Sequence, residues 1–285
     1  MSQQAPRVSF EFFPPKTAEA ADSLWRTVER LAPLGPEFVS VTYGADGSTR
    51  ERTHQVIADI LANTRLRPVP HLTCVGADTA EIDAIADSYW AMGVRSLVAL
   101  RGDPSGGAEA DYVPTPGGYP YAAELVEGLL AKHPFDVYVA AYPETHPSAP
   151  SAAFDLENLQ RKVEAGATHA ITQFFFDNDA FLRFRDAVAR KMTVDLIPGM
   201  LPVTNFQTLL RFASACGAQI PARFATMFEG LDDDPTTRQL IAAHMAVEQV
   251  EALRAEGVDA FHFYTLNRAD LSFAVCHALG VRGDV

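Results

Sequence analysis

Residues 8–15 read VSFEFFPP, a short run of β-branched and aromatic residues that ends at two prolines. Such a run is typical of a buried β-strand, and the prolines end it because they cannot donate hydrogen bonds to a sheet. Further along, Leu24, Val28 and Leu31 recur at the spacing of an amphipathic helix. The chain therefore begins with a strand, a loop and a helix, and Glu11 lies within that strand.

The same unit recurs along the chain. With the first run at 8–13, eight β-type runs alternate with helical patterns, and the others lie at 38–43, 69–75, 96–100, 137–142, 169–176, 194–197 and 260–266. Before one helical pattern, Asp78 and Glu81 have the spacing of a capping box. Strands that alternate with helices form parallel sheets, and eight such units favour a closed barrel. The sequence thus predicts the α/β class and a (β/α)8 TIM barrel.

The segment between the seventh and eighth strands, about residues 200–258, is longer than one helix requires. We expect two or three extra helices there, including one at 236–256. The length of 285 residues suits a one-domain barrel, and no linker divides the chain. We therefore expect a single catalytic domain spanning residues 1–285.

The composition narrows the function. A net charge of −13 disfavours binding to nucleic acid or to an anionic membrane, since both require a basic face. No apolar run approaches the roughly 20 residues of a membrane span, and the first residues do not resemble a signal peptide. The cysteines are scattered and form no CxxC pair. We expect a cytoplasmic enzyme with free thiols.

In barrels of this type the active site forms at the carboxyl ends of the strands. Polar side chains are more frequent there than barrel packing requires, and we predict that they surround a ligand. They are Glu11, Thr42, Tyr43, His71, Arg101, Asp103, Tyr142, Glu144, His146, Gln173, Tyr264, Asn267 and Arg268. No GxGxxG, P-loop or HExxH motif accompanies them, so the sequence lacks the signature of a Rossmann dinucleotide site.

Two carboxylates at these strand ends are candidates for chemistry. Glu11 lies between Phe10 and Phe12, and an apolar setting favours the protonated acid that a general acid must be. The alternative for Glu11 is a salt bridge across the barrel interior. Asp103 follows the fourth strand beside Arg101, where it is either a ligand contact or a turn residue.

Other polar residues also have two interpretations, one functional and one structural. Gln173 interrupts an apolar run, and a buried amide must hydrogen-bond either a ligand or the backbone. His71 is either a ligand contact or a core histidine. Asp155, Asn158 and Lys162 share one face of a helix, which either grips a ribityl chain and a phosphate or is solvated.

Eight blocks across about residues 7–281 read VSFEFFPPK, VTYGADGSTRERT, PHLTCV, VALRGD, VAAYPETHP, ITQFFFD, IPGMLPV and HFYTLNR. Together, and in this order, they resemble the blocks of bacterial methylenetetrahydrofolate reductases. One block would be weak support, whereas eight, each at the end of a predicted strand, are specific.

The resemblance implies an FAD-dependent oxidoreductase on a barrel. NADH or NADPH would reduce the flavin and leave, and 5,10-methylenetetrahydrofolate would then bind in the same place and accept a hydride, giving 5-methyltetrahydrofolate. The family's proton donor corresponds to Glu11. Asp103 would contact the pterin and tune the flavin, and Gln173 would serve both folate and nicotinamide.

The resemblance also implies the remaining binding residues. Thr42 would face the nicotinamide cofactor, and Phe212, Tyr264 and Arg268 would border the substrate. FAD would contact Tyr43, His71, Arg101, Gly102, Asp103, Ala122, Tyr142, His146, Asp155, Asn158, Arg161 and Lys162. The sequence departs from the family at Gln207 and Thr208, where a glutamine is expected in the second place. A homo-oligomer, dimer or tetramer, is also implied.

Two other functions remain open from the sequence. A metal-dependent barrel hydrolase or lyase would use His71, His146, Glu11 and Asp103 as ligands or bases. A protein that binds flavin or folate without turnover would keep the barrel and lack catalysis.

Overall fold

A computed structural model describes residues 4–43, 47–103 and 111–283. Its strands are β1 Arg7–Phe12, β2 Val39–Val41, β3 Pro68–Thr73, β4 Ser96–Leu100, β5 Asp136–Ala141, β6 His169–Thr172, β7 Asp195–Ile197, β8 Gly199–Met200 and β9 Ala260–Tyr264. They form one parallel sheet in the order β7-β6-β5-β4-β3-β2-β1-β9-β8. The predicted barrel is confirmed. We call the carboxyl ends of its strands the mouth and the amino ends the floor.

The seventh strand continues beyond the predicted run at 194–197 and is interrupted at Pro198. Its first piece, β7, pairs with β6, and its second piece, β8, pairs with β9. Proline has no amide hydrogen to give to the ladder, but its carbonyl accepts a hydrogen bond from the amide of His262 at 3.0 Å. The parallel pairing therefore continues around the ring through a strand in two pieces.

The sixth strand is shorter than the predicted run at 169–176, because β6 ends at Thr172. The amide of Gln173 still bonds the Ala141 carbonyl at 2.8 Å. The next amide, of Phe174, instead bonds the side-chain oxygen of Gln173 at 3.1 Å. A side chain that satisfies the backbone in this way ends the ladder.

Helices cover the outside of the barrel. They are α1 Ala18–Leu31, α2 Gly47–Asn63, α3 Thr79–Ala91, α4 Ala122–Lys132, α5 Ala152–Glu164, α6 Asn178–Lys191, α7 Phe206–Cys216, α8 Ala222–Phe228, α9 Pro235–Ala255 and α10 Ala269–Ala278. The extra helices between the last strands are α7, α8 and α9, as predicted. The capping box is also confirmed, with Asp78 accepting from the Glu81 amide at 2.9 Å and Glu81 accepting from the Asp78 amide at 3.1 Å.

The strand alternation divides the core into two layers. Phe10 and Phe12 are fully buried among the residues that pack the strands against the helices. Inside the barrel, a smaller apolar cluster fills the half nearer the floor and consists of Phe38, Val69, Val98, Tyr138, Ile171, Ile197 and Ala260. The inner positions nearer the mouth carry polar side chains, and these form the candidate site.

Two further expectations concern the chain as a whole. Cys74, Cys216 and Cys276 are all free thiols, as predicted. In the part of the chain that the structure describes, no helix is both long and apolar enough to cross a membrane.

Candidate active site

Glu11 projects into the barrel and lies beside two histidines. Its Oε2 atom is 3.5 Å from Nε2 of His71 on β3 and 3.9 Å from Nε2 of His262 on β9. The side chain is only 9% exposed. The expected apolar setting is therefore wrong, because alternate strand residues face opposite sides and Phe10 and Phe12 point towards the helices.

Two serines hold His262 from neighbouring strands. Ser9 Oγ is 2.7 Å from Nδ1 of His262, and Ser40 Oγ is 3.3 Å from Nε2. Ser9 pairs with His262 in the β1–β9 register, and Ser40 pairs with Glu11 in the β1–β2 register. The strand pairing therefore brings these polar side chains to the same level of the interior as Glu11.

His71 is incompletely satisfied. Its Nε2 atom is buried and has no hydrogen-bond partner, and the same holds for Oγ1 of Thr73, two residues further along the inner face of β3. Burial lowers the pKa of His71 below its usual value, and the nearby Glu11 only partly opposes this shift. A neutral imidazole with an unpaired nitrogen is suited to a polar ligand that enters from the mouth.

Tyr264 reaches from β9 past β8 to β6 at the mouth. Its hydroxyl donates to the carbonyl of Thr172 at 2.7 Å. Burial raises its pKa well above the usual value. The ring passes over Gly199, where an added Cβ would lie 2.2 Å from the Thr172 carbonyl oxygen and 2.6 Å from the Tyr264 ring. Glycine at this position therefore makes room for the tyrosine.

A clamp between β9 and β1 fixes the backbone around Glu11. Thr265 Oγ1 donates to the Glu11 carbonyl at 2.6 Å. The side-chain amide of Asn267 accepts from the Phe13 amide at 2.9 Å and donates to the Phe13 carbonyl at 2.8 Å. Asn267 has a positive φ of 54°, a conformation that asparagine tolerates better than most residues. The clamp therefore limits the movement of the strand that carries Glu11.

A second polar group lies at the ends of β4 and β5. Arg101 forms a 3.9 Å ion pair with Asp103, whose side chain is 64% exposed. The ring of Tyr142 packs edge-on against His146 at a centroid distance of 4.6 Å, and the His146 amide donates to Asp155 at 2.7 Å. Burial and the nearby Arg101 lower the pKa of His146, while Asp155 opposes them.

Lys162 is a half-buried cation beneath this group. Its Nζ donates to the Ala140 carbonyl at 2.5 Å. Burial lowers the pKa of Lys162 to about 8, and Asp155 only partly offsets the effect. The neighbouring Asn158 and Arg161 bond each other on an exposed part of α5. The polar residues of α5 thus comprise a half-buried lysine and a pair that faces solvent.

Gly102 allows the fourth strand to end against the third. Its φ of +83° is a left-handed conformation that favours glycine. An added Cβ would lie 2.6 Å from Val75 and 2.9 Å from Thr73. This tight turn sets the direction in which Arg101 and Asp103 leave the strand.

The Cys216 thiol at the end of α7 interacts with the side chains of both Gln173 and Asp103. Burial raises the pKa of the Cys216 thiol, the charge of Asp103 raises it further, and the Gln173 side chain opposes them by a hydrogen bond. Beside them, Oε1 of Glu144 accepts from the Gln219 amide at 3.1 Å.

A family model described as methylenetetrahydrofolate reductase matches residues 1–280 of this sequence. The chain belongs to the methylenetetrahydrofolate reductase family. It is 52% identical over 277 residues to the 5,10-methylenetetrahydrofolate reductase of Escherichia coli (strain K12), which covers 96% of this chain and 91% of the relative. It is 51% identical over 281 residues to the same enzyme of Pectobacterium carotovorum subsp. carotovorum, covering 98% and 91%.

A solved structure shares the fold of this reductase-family chain at low identity. It belongs to an uncharacterized protein from Clostridium thermocellum, described as binding two copies of 5-methyl-5,6,7,8-tetrahydrofolic acid. The TM-score is 0.63 and the identity 15%, with 98% of this chain and 95% of the other covered. At this identity the likeness is one of fold.

Some residues expected from the family lie away from the centre of the mouth. Tyr43 packs among the residues between strands and helices, and burial raises its pKa to about 12. Arg268 is exposed at the start of α10. Phe212 joins the apolar cluster beneath the extra helices. Ala122 is buried at the start of α4, and the Thr42 carbonyl accepts from Thr53 at 2.9 Å.

Sequence reasoning missed several polar residues of the candidate site. His262 belongs to the run AFHFY, and its alternation with Phe261 and Phe263 could have placed it on the inner face. Ser9 and Ser40 have the same alternation signal. Cys216 has no local signal, because only the folding of α7 over the mouth brings it to Gln173. Among the described residues, no group of three or more His, Cys, Asp or Glu side chains is arranged to hold a metal ion.

Proposed function

We propose that this protein reduces 5,10-methylenetetrahydrofolate to 5-methyltetrahydrofolate with NADH or NADPH and FAD, by a ping-pong mechanism. The observation that carries the proposal is the position of Glu11, a carboxyl group almost excluded from solvent beneath a polar mouth. Family membership supplies the reaction, and the geometry supplies a residue suited to its acid step.

The residues at the mouth fit a flavin dinucleotide. Lys162 is a half-buried cation that would balance a diphosphate, and the unpaired Nε2 of His71 would gain a polar partner. The residues that would hold FAD are Tyr43, His71, Arg101, Gly102, Asp103, Ala122, Tyr142, His146, Asp155, Asn158, Arg161 and Lys162. When bound, the flavin supplies hydride transfer between the nicotinamide and the folate. Thr42 would face the nicotinamide.

Glu11 would supply the proton of the folate half-reaction. Opening the imidazolidine ring of the substrate releases a nitrogen that needs a proton, and a positioned acid contributes about 10²- to 10⁴-fold to such a step. The clamp formed by Thr265 and Asn267 would hold Glu11 in place for this transfer. Near-complete burial of the carboxyl group would limit competition from water.

Other side chains would bind the folate. Asp103 at the mouth would accept hydrogen bonds from the pterin, and its charge would disfavour negative charge on a reduced flavin. Gln173 lies near Asp103 through their shared neighbour Cys216, which supports a common pocket. Phe212, Tyr264 and Arg268 would border the rest of the substrate.

The test is spectroscopic and chemical. Protein reconstituted with FAD should have flavin absorbance, bleach anaerobically with NADH or NADPH, and regain its colour when methylenetetrahydrofolate is added, with stoichiometric 5-methyltetrahydrofolate. A protein that takes up no flavin, or that binds flavin and folate without turnover, would contradict the proposal. Stoichiometric bound metal with hydrolase activity would favour a metal-dependent barrel enzyme instead.

We also propose that the chain acts as one catalytic domain within a homo-oligomer, either a dimer or a tetramer. The support for the oligomer is the family resemblance. Light scattering coupled to gel filtration should give a mass of two or four chains. A monomer mass at assay concentrations would contradict this part of the proposal.

A further inference from the structure

We propose that His262 is a positioning residue for Glu11, held by Ser9 so that its Nε2–H faces the Glu11 carboxylate. The inference rests on the proposed function, in which Glu11 gives up a proton to the folate. It assigns His262 the task of stabilising the negative charge that Glu11 acquires at that moment.

The distances around Ser9 favour one tautomer of His262. The Ser9 hydroxyl has one proton and two acceptors in reach, Nδ1 of His262 at 2.7 Å and the Phe261 carbonyl at 3.5 Å. The shorter contact has the length of a good hydrogen bond, whereas the longer is at the limit. We therefore assign the serine proton to Nδ1 on the basis of the shorter distance, and this assignment places the single proton of a neutral imidazole on Nε2.

The Nε2 side of His262 faces two oxygens and one further ring. Ser40 Oγ is 3.3 Å away and Glu11 Oε2 is 3.9 Å away, and His71 approaches the same carboxylate oxygen from β3 at 3.5 Å. Tyr264 is the other titratable group that adjoins Glu11 and the imidazole. A shift of roughly 1 Å would bring Glu11 within hydrogen-bond distance of Nε2.

The imidazole cannot readily turn away from Glu11. Phe38 stacks on the His262 ring at 5.4 Å and 15°, and Tyr264 packs edge-on at 5.5 Å and 89°. His262 itself has no exposed surface. Aromatic contacts on the ring and a serine at each nitrogen therefore hold its orientation in advance of the reaction, which is what effective charge stabilisation requires.

The proton balance of the step is simple. The carbon–nitrogen bond of the substrate ring breaks, and its electron pair stays on the nitrogen. The proton on Glu11 moves to that nitrogen, leaving a carboxylate. The Nε2 proton remains on His262 and donates a hydrogen bond to the new carboxylate. No electrons move between protein and substrate in this step.

Loss of the Nε2–H would change the pH profile in a defined direction. Without this donor the carboxylate that forms in the step is less stable, so Glu11 would release its proton less readily. The falling limb of the folate half-reaction would move to higher pH, and its plateau rate would fall. A merely structural role for His262 would not move the limb.

Stopped-flow measurement of both half-reactions against pH tests the proposal in the holoenzyme. His262→Asn retains an acceptor for Ser9 near Nδ1 and removes Nε2. We expect the plateau of the folate half-reaction to fall about tenfold and its midpoint to rise by about one pH unit. His262→Gln, whose amide reaches the Nε2 position, should recover part of both effects. Flavin reduction by the nicotinamide should stay within about twofold.

The controls separate positioning from folding. His169→Asn, on the inner face at the floor, should leave both half-reactions and the pH midpoint unchanged. Ser9→Ala removes the hydroxyl group that favours the Nε2–H tautomer of His262, with only a small change in side-chain volume. It should shift the pH midpoint of the folate half-reaction in the same direction as His262→Asn. It keeps the proposal testable if His262→Asn does not fold. An unmoved midpoint in Ser9→Ala and the His262 variants, or equal loss of both half-reactions, would overturn the proposal.

A Glu11→Gln background separates this proposal from the proposed function. There, adding His262→Asn should slow the folate half-reaction no further, since no carboxylate forms. If Glu11→Gln leaves the folate half-reaction intact, the proposed role of Glu11 fails and the His262 proposal fails with it. If Glu11→Gln abolishes that half-reaction while the His262→Asn profile superimposes on the wild type, only the His262 proposal fails.

Discussion

Histidine lies beside carboxylate both at the mouth and at the floor of the barrel, but the hydrogen bonds of these groups are more nearly complete at the floor. At the floor, Nδ1 of His169 is 3.1 Å from Asp136 and 2.9 Å from Thr168, Nε2 is 3.7 Å from Asp195, and the ring stacks on Tyr138 at 4.2 Å. At the mouth, the contacts of Glu11 with its two histidines are 3.5 and 3.9 Å, and a buried nitrogen has no partner.

The completeness of the hydrogen bonds distinguishes polar groups that only support the fold from polar groups that are suited to bind a ligand. A partly exposed network whose members satisfy each other contributes modestly to stability and leaves nothing to bind a ligand. A buried group whose hydrogen bonds are incomplete costs stability in the free protein, and such a cost is retained where a ligand completes the set. The floor has the first character, and the mouth has the second.

Matched substitutions at His71 and His169 test this difference between the mouth and the floor with the largest expected effect. His71→Phe removes an unsatisfied polar group, so FAD affinity should fall about 100-fold, while the unfolding free energy of the flavin-free protein should stay equal or rise. His169→Phe removes a satisfied group, so unfolding free energy should fall by about 1 kcal/mol with FAD affinity unchanged. Flavin titration and denaturant unfolding measure both. Similar effects from the two variants would break the distinction.

A pH series on flavin affinity should give the next largest effect. The pKa of Lys162 is about 8 in the flavin-free protein because the side chain is buried. A bound diphosphate favours the charged lysine, so the dissociation constant of FAD should rise about tenfold between pH 7 and pH 9. Fluorescence titration of the flavin measures this change.

Two variants at the same position control for other titrations. Lys162→Arg stays charged across this range, and its FAD affinity should be nearly independent of pH. Lys162→Met should bind weakly at both values. If the wild type and Lys162→Met show the same rise in the dissociation constant, Lys162 is not the group that senses the flavin.

The smallest expected effect is the loss of stability on substitution of Asp136 at the floor. Burial raises the pKa of Asp136, but hydrogen bonds from His169 and Thr168 more than offset it and leave the pKa below 3.8. A carboxyl whose pKa is lowered on folding stabilises the protein above its unfolded value and loses that contribution as the pH falls through the folded value. Asp136→Asn should therefore cost about 1 kcal/mol at pH 7 and progressively less below about pH 4.

Thermal and denaturant unfolding at several pH values check the Asp136 prediction, with enzyme assays alongside. Activity should be unchanged at pH 7, since Asp136 lies at the amino end of β5. A loss of activity without a loss of stability would show that the floor takes part in function, contrary to the comparison.

The fold was largely predictable because each strand and helix has its own local period. The eight β-type runs correspond to the nine strands of the sheet, with β7 and β8 forming one interrupted strand, and the capping box at Asp78 and Glu81 formed as its spacing indicates. The split of the seventh strand at Pro198 and the early end of the sixth at Gln173 depend on individual hydrogen bonds. A hydrophobic pattern in the sequence does not predict individual hydrogen bonds of this kind.

The site was predictable in its position more than in its surroundings. Glu11, His71 and Tyr264 came from the rule that chemistry lies at the carboxyl ends of the strands. The neighbours of Glu11 were misjudged because residues adjacent in sequence point to opposite faces of a strand. His262 contacts Glu11 only because β9 closes the ring against β1, which no local pattern shows.

The most direct test of the account compares the two half-reactions of Glu11→Gln by anaerobic stopped flow, with Glu37→Gln at the floor as the matched control. We predict that the rate of the folate half-reaction falls by about 10³-fold while the rate of flavin reduction by NADH or NADPH changes less than about twofold. Glu37→Gln should leave both rates unchanged. An equal loss of both half-reactions in Glu11→Gln, or an unaffected folate half-reaction, would contradict the assignment of Glu11 as the proton donor.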